Sequence, residues 1–167
     1  MHLRPATSDD ADAITAIYND AIANTTAILW HEPKPVAEWR DRLSALADRY
    51  PVLVAQDQAG NVIGFAGLFA YDNKCGYDDV AEWSVYIAPS CRGRGVGRSL
   101  AEALIQTARE RARSEGGLHS IVSRVTAGNT ASAHLHDRLG FRVVGTFKRL
   151  GHKFGQRHDV IAYQLIL

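Results

Sequence analysis

The run Arg92-Gly93-Arg94-Gly95-Val96-Gly97-Arg98 carries the most chemistry in this chain. Glycine at every second position bares the backbone N–H groups and lets a ligand approach closely. The run follows a strand-like stretch, Glu82-Trp83-Ser84-Val85-Tyr86-Ile87, and opens a helix-like stretch from Ser99 to Arg113. Its amides therefore stand at the positive end of a helix dipole, where phosphate is favoured. Arg92, Arg94 and Arg98 add guanidinium groups suited to phosphate oxygens. The chemistry predicted is the binding of a pyrophosphate. A P-loop would need a Gly-Lys pair, and none occurs. A dinucleotide fingerprint needs Gly-x-Gly-x-x-Gly early in a βαβ unit, with an acid about 20 positions on. Here the spacing is Gly-x-Gly-x-Gly, and other strands precede it. The pattern that remains is Arg-x-x-Gly-x-Gly at Arg92, Gly95 and Gly97. A ligand-free connection is the bland competitor, but glycines weaken a helix start unless something needs the bare backbone.

The elements that must position this loop follow from periodicity. A short strand at His2 to Arg4 leads to Thr7-Ser8-Asp9-Asp10, which offers helix-capping groups. Ile14, Ile17, Tyr18, Ala21 and Ile22 then recur at helical spacing. After a loop from Asn24 to Pro33, Pro35 opens a second helix with Val36, Trp39, Leu43 and Leu46 on one face. Pro51 to Gln56 and Val62 to Ala70 read as a hairpin around Asp57-Gln58-Ala59-Gly60-Asn61. A polar loop, Tyr71 to Asp79, precedes the Glu82 strand. The helix after the glycines ends at Gly116-Gly117. His119 to Val125 is a strand and Asn129 to Leu139 a helix, with Phe141 to Phe147 and His158 to Leu167 closing the sheet. The predicted order is β-α-α-β-β-β-α-β-α-β-β, an α/β (α+β) fold with a mixed sheet and helices on both faces.

A chain of 167 residues with 46% hydrophobic content can build one domain, spanning 1–167. The net charge of +1 argues against nonspecific nucleic-acid binding as the main task. Cys75 and Cys91 have no metal-type spacing, so no metal site is expected and both read as reduced thiols of a cytoplasmic protein. The N-terminal residues lack the apolar stretch of a signal peptide, and no apolar run reaches membrane-spanning length.

Element order and motifs together resemble the GNAT (Gcn5-related) N-acetyltransferases over essentially the whole chain. Asn24-Thr25-Thr26-Ala27, Glu82 to Ile87, Leu135-His136-Asp137-Arg138-Leu139-Gly140-Phe141, Gly151-His152-Lys153-Phe154-Gly155 and His158-Asp159 resemble the phosphinothricin N-acetyltransferase subfamily. That subfamily acetylates phosphinothricin, methionine sulfoximine and methionine sulfone. The resemblance implies a mostly antiparallel sheet of about seven strands, splayed into a V between the Glu82 and His119 strands. Acetyl-CoA would lie in the splay, its pantetheine arm along Val85, Tyr86 and Ile87 and its pyrophosphate on the amides of Gly93 to Arg98. Asn129 matches a position contacting the CoA arm; it also reads as a helix N-cap.

The chemistry implied is direct attack of a primary amine on the thioester. An ammonium has no lone pair, so a base is needed, and Glu82 matches the strand glutamate of the family. The competing reading is an exposed strand-end carboxylate. His136 stands where many relatives place an acid for the departing thiolate, though it could equally be a histidine packed on a helix face. His158-Asp159 is no dyad, because adjacent strand residues face opposite ways. Cys75-Gly76-Tyr77 occupies the implied substrate-contact loop. Relatives tend to carry arginines there, whereas this chain has Asp72 and Asp78, a pattern favouring a cationic acceptor unless these are solvated loop charges. The resemblance also implies a homodimer and a small-molecule acceptor. Rival readings are the same chemistry on an aminoglycoside, polyamine or protein N-terminus, and a non-catalytic acyl-CoA-binding or sensing domain.

Overall fold

A computed structural model describes residues 1–45, 50–113 and 116–167. Leu46 of the predicted second helix lies outside them. The strands are β1 (His2–Pro5), β2 (Val52–Gln56), β3 (Val62–Ala70), β4 (Val80–Ile87), β5 (Ser120–Thr126), β6 (Arg142–Lys153) and β7 (Gln156–Ile166). The helices are α1 (Ala11–Asn24), α2 (Val36–Ser44), α3 (Val96–Ala112) and α4 (Thr130–Leu139). All seven strands form one sheet in the order β1-β2-β3-β4-β5-β7-β6. Among the described residues only the β4–β5 pair is parallel. This is the predicted element order.

Strand alternation divides the core in two. Val52, Val54 and Phe65 face α1 and α2, where they meet Ile14, Ile17, Trp39 and Leu43. Leu53, Ala55, Ala66 and Leu68 face α3, where they meet Leu100, Leu104 and Ala108. Covered on both faces, β2 reads in sequence as an unbroken apolar run. The first helix is entered through a short turn in which Thr7 N donates to Asp10 Oδ2 at 2.8 Å. Arg4 clamps the same carboxylate with two bonds of 2.7 Å, tying β1 to the start of α1.

Three boundaries differ from expectation. Helix α3 begins at Val96 rather than Ser99, because Gly95 adopts φ +83° as its N-cap and Gly97 is already helical. Strand β6 runs on to Lys153 rather than ending at Phe147. Its register against β7 slips at Val143/Gly145 and again at Phe147/Gly151, and these bulges break the two-residue period that would have revealed its length. Strand β7 begins at Gln156, so the two form a long hairpin about the Phe154-Gly155 turn.

Candidate active site

The parallel strands stay together for only three residue pairs, Val80↔Ser120 to Glu82↔Val122. Beyond Glu82 they part: β4 continues against β3 as far as Ile87↔Gly64, and β5 against β7 as far as Thr126↔Val160. The sheet thus contains a fork with its apex at Glu82. Ala88 N bonds Ile63 O on the β3 side. By alternation, the amides and carbonyls of Val85 and Ile87 point into the fork, where no strand pairs with them. Tyr86 also lines the cleft, but its backbone is turned to β3 and offers no unpaired edge there. Its side chain instead meets Tyr18, with ring centroids 5.2 Å apart, and burial pushes its hydroxyl far above the ordinary tyrosine range.

One floor of the fork is an aromatic cluster. Trp83 stacks on Phe141 at 4.9 Å, and His136 sits between Trp83 and Tyr163 at 5.0 and 4.6 Å. His136 is 3% exposed and spans three elements. Its Nδ1 lies 2.7 Å from the Ser132 carbonyl, which can only accept, so Nδ1 carries the proton. Its Nε2 lies 3.1 Å from Trp83 Nε1, which can only donate, and 2.8 Å from Ser123 Oγ. The ring is therefore neutral with both nitrogens engaged, and burial lowers its pKa further. This arrangement does not fit the acid expected at His136; the side chain instead joins α4, β4 and β5 beneath the fork.

The fork opens into a cleft of about 1340 Å³ lined by Val85, Ile87, the glycine loop and Asn129. At its far end, α3 starts without a side-chain cap. The amides of Val96, Gly97 and Arg98 are thus first-turn donors awaiting an acceptor. Gly95 needs its left-handed backbone, whereas Gly97 does not. A Cβ at Gly97 would stand 3.5 Å from Ile87 Cγ1, an ordinary contact. The fold therefore tolerates a side chain there, and the bare backbone is left for a ligand. These features fit the pantetheine and pyrophosphate of a CoA thioester. Arg92 is spent differently: Nε donates to Ile87 O at 3.1 Å and Nη2 to Asp20 at 2.7 Å, bracing the loop against α1. Arg94 and Gly93 are exposed, and Arg98 pairs with Glu102 at 2.7 Å. Asn129 is an N-cap, its Oδ1 accepting from Ser132 N at 3.2 Å, and it also lines the cleft.

Glu82 stands where that cleft meets a second cavity of about 670 Å³, walled by Tyr18, Trp39, Tyr50 and Phe69. Arg124 grips Glu82: Nε lies 3.0 Å from Oε1, and Nη2 lies 2.9 Å from Oε1 and 3.1 Å from Oε2. Sequence reasoning missed Arg124. Alternation in β5 placed it opposite Ile121 and Val125, but nothing in the sequence set it beside Glu82. The loop after α1 lines the same cleft. It is held where Thr126 Oγ1 donates to Thr26 O at 2.7 Å and Lys153 Nζ to Ile28 O at 2.5 Å. Cys75, Gly76 and Tyr77 form an exposed turn and line neither cavity, so the chain by itself does not bring them to Glu82. Asp72 pairs with Lys74 at 3.1 Å and lines neither cavity. Among the described residues no cluster of His, Cys, Asp or Glu is placed to hold a metal ion, and no helix is long and apolar enough to cross a membrane.

A forked sheet with a glycine-rich helix start at its mouth defines an acyl-CoA-dependent transferase, and the comparisons agree. The Acetyltransferase (GNAT) family matches residues 14–141, and the chain belongs to it. A relative from Pseudomonas paraeruginosa, an L-methionine sulfoximine/L-methionine sulfone acetyltransferase, is 43% identical over 99% of this chain and 94% of its own. A ribosomal-protein-alanine N-acetyltransferase from Brucella melitensis superposes with a TM-score of 0.90 at 38% identity, covering 100% of both chains. A phosphinothricin acetyltransferase from Sinorhizobium meliloti, solved with acetyl-CoA, gives a TM-score of 0.90 at 32% identity, over 99% of this chain and 88% of that one.

Proposed function

We propose that this chain transfers acetyl from acetyl-CoA to the primary amine of a small amino-acid-like acceptor of the phosphinothricin, methionine sulfoximine or methionine sulfone type. The observation that carries this reading is the position of Glu82, at the apex of the fork and on the boundary between the cofactor cleft and the aromatic cavity. Acetyl-CoA supplies the activated thioester. Val85 and Ile87 offer strand-like pairing to its amide-bearing arm, and the amides of Val96 to Arg98 receive its pyrophosphate. Glu82 takes the proton that the acceptor ammonium must lose, directly or through a water. The aromatic walls exclude solvent and hold the acceptor's side chain. His136 keeps the fork open, and the departing thiolate is acidic enough to need no protein acid. The names of the Pseudomonas and Sinorhizobium relatives support the amino-acid acceptor.

The test is release of CoA thiol across an amine panel: L-phosphinothricin, L-methionine sulfoximine, methionine sulfone, spermidine, an aminoglycoside and an alanine-initiated peptide. Turnover on the first three is expected. Turnover on the peptide alone would favour protein N-terminal acetylation, in keeping with the name of the Brucella protein. Acetyl-CoA binding without any turnover would favour a sensing domain.

The proposal extends to a cytoplasmic homodimer. Strand β6 is the sheet's edge and exposes Val143, Val144, Phe147 and Leu150, each more than half accessible. An edge that is both apolar and unpaired is a liability in a monomer, and a second copy would cover it.

A further inference from the structure

We propose that Arg124 is the acceptor-recognition residue, exchanging Glu82 for the acceptor's α-carboxylate while Glu82 takes the α-ammonium. This rests on the amine-acetylation reading above. The two side chains face the α1 side of the sheet and border the same cleft. Glu82 and Arg124 are 30% and 55% accessible, so an incoming solute reaches both. Exposed ion pairs contribute only about 0–1 kcal/mol, so parting them costs little. The grip uses the Nε and Nη2 edge of the guanidinium, and Nη1 has no acceptor among the described residues. Arg124 can therefore turn its fork to a second carboxylate without abandoning other partners.

Charge complementarity selects the ligand class. A free α-amino acid carries an ammonium and a carboxylate on one carbon. The Glu82–Arg124 pair presents the opposite charges side by side, its nearest atoms 2.9 Å apart, and the two part to admit the zwitterion. Insertion of the zwitterion re-pairs all four charges, with none left desolvated and alone. An amine without a carboxylate draws Glu82 away and leaves Arg124 unpaired. A neutral amide in place of the carboxylate does the same. Exchange also releases both Glu82 oxygens from the guanidinium, leaving them to accept from the ammonium. Strand β5 holds Arg124 in place from below, because neighbouring Ser123 bonds His136 and Val125 is in the core.

The experiment compares L-methionine sulfone with its carboxamide, which keeps the amine and side chain and removes only the charge. Wild type is expected to favour the acid. Arg124→Gln should raise the KM for the acid about 10- to 100-fold, the range of a lost charged hydrogen bond, and collapse the acid-over-amide preference towards one. Arg124→Lys should restore part of that preference. An unchanged preference in Arg124→Gln would overturn the proposal. If wild type releases thiol with neither compound, the acetylation reading has failed for this acceptor class. Calorimetric titration of the sulfone into the CoA-saturated protein then decides separately. Binding at least tenfold weaker in Arg124→Gln supports the role of Arg124; equal binding, or none, refutes it.

Discussion

Trp83 Nε1 donates across 3.1 Å to Nε2 of His136, a residue 53 positions later on another element. Because indole can only donate, this contact settles where the imidazole proton is: on Nδ1, facing the Ser132 carbonyl. Protonating Nε2 would set two donors head to head. In this arrangement the histidine braces the fork with both ring nitrogens engaged, on the lining of the cleft.

A pH dependence of stability follows. Burial holds the His136 pKa below its ordinary value in the folded state. Unfolded, the ring titrates near 6.5, so below that pH the unfolded chain binds a proton that the folded chain refuses. The stabilisation is complete above the unfolded value and falls as pH drops from there towards the depressed folded one. Urea midpoints at about pH 7.5 and about pH 5.5 should show this loss in wild type and a smaller one in His136→Asn. Equal losses would mean that the ring is already charged when folded.

The glycine loop makes a separable prediction. Gly97→Ala meets only an ordinary contact at Ile87 and removes backbone entropy from the unfolded chain, so the melting temperature should hold or rise. The same methyl intrudes where the pyrophosphate approaches, and the KM for acetyl-CoA should rise about tenfold, or 1.4 kcal/mol. An unchanged KM would move the cofactor off this helix start.

Much of this was legible in the chain. The glycine spacing announced a helix start, and Glu82 was marked by its match to the strand glutamate of the resembling family. Arg124 did not, because its meaning depends on β5 lying parallel beside β4, a pairing between residues some 40 apart with no local signature. The tautomer of His136 was hidden for the same reason, since Trp83 decides it. The length of β6 was obscured by bulges at Val144 and around Arg149 that shift which side chains face the core. Asp72 looked hostile to an anionic acceptor, yet its charge is answered by Lys74 within its own turn.

The apolar edge gives a prediction about assembly. Replacing Val144 and Leu150 together by lysine should leave the core intact, since both are more than half exposed. It should convert a dimer to a monomer in sedimentation equilibrium. A wild type that sediments as a monomer, or a variant that stays dimeric, would place the interface elsewhere.

Packing beneath the cofactor cleft should be costly to disturb. Leu100 is fully buried between α3 and β3, and Leu100→Ala should destabilise the protein by about 2–5 kcal/mol in urea unfolding. A loss under about 1 kcal/mol would mean that α3 collapses into the cavity and is less rigid than its role at the cleft requires.

The most direct test of the account is the rate of acetyl transfer by Glu82→Gln against pH, beside its affinity for acetyl-CoA. The account predicts a kcat lowered about 10²- to 10⁴-fold near neutral pH, partly recovered in alkali where the acceptor amine loses its own proton, with acetyl-CoA binding nearly unchanged. A wild-type rate across the whole pH range would remove Glu82 from the chemistry.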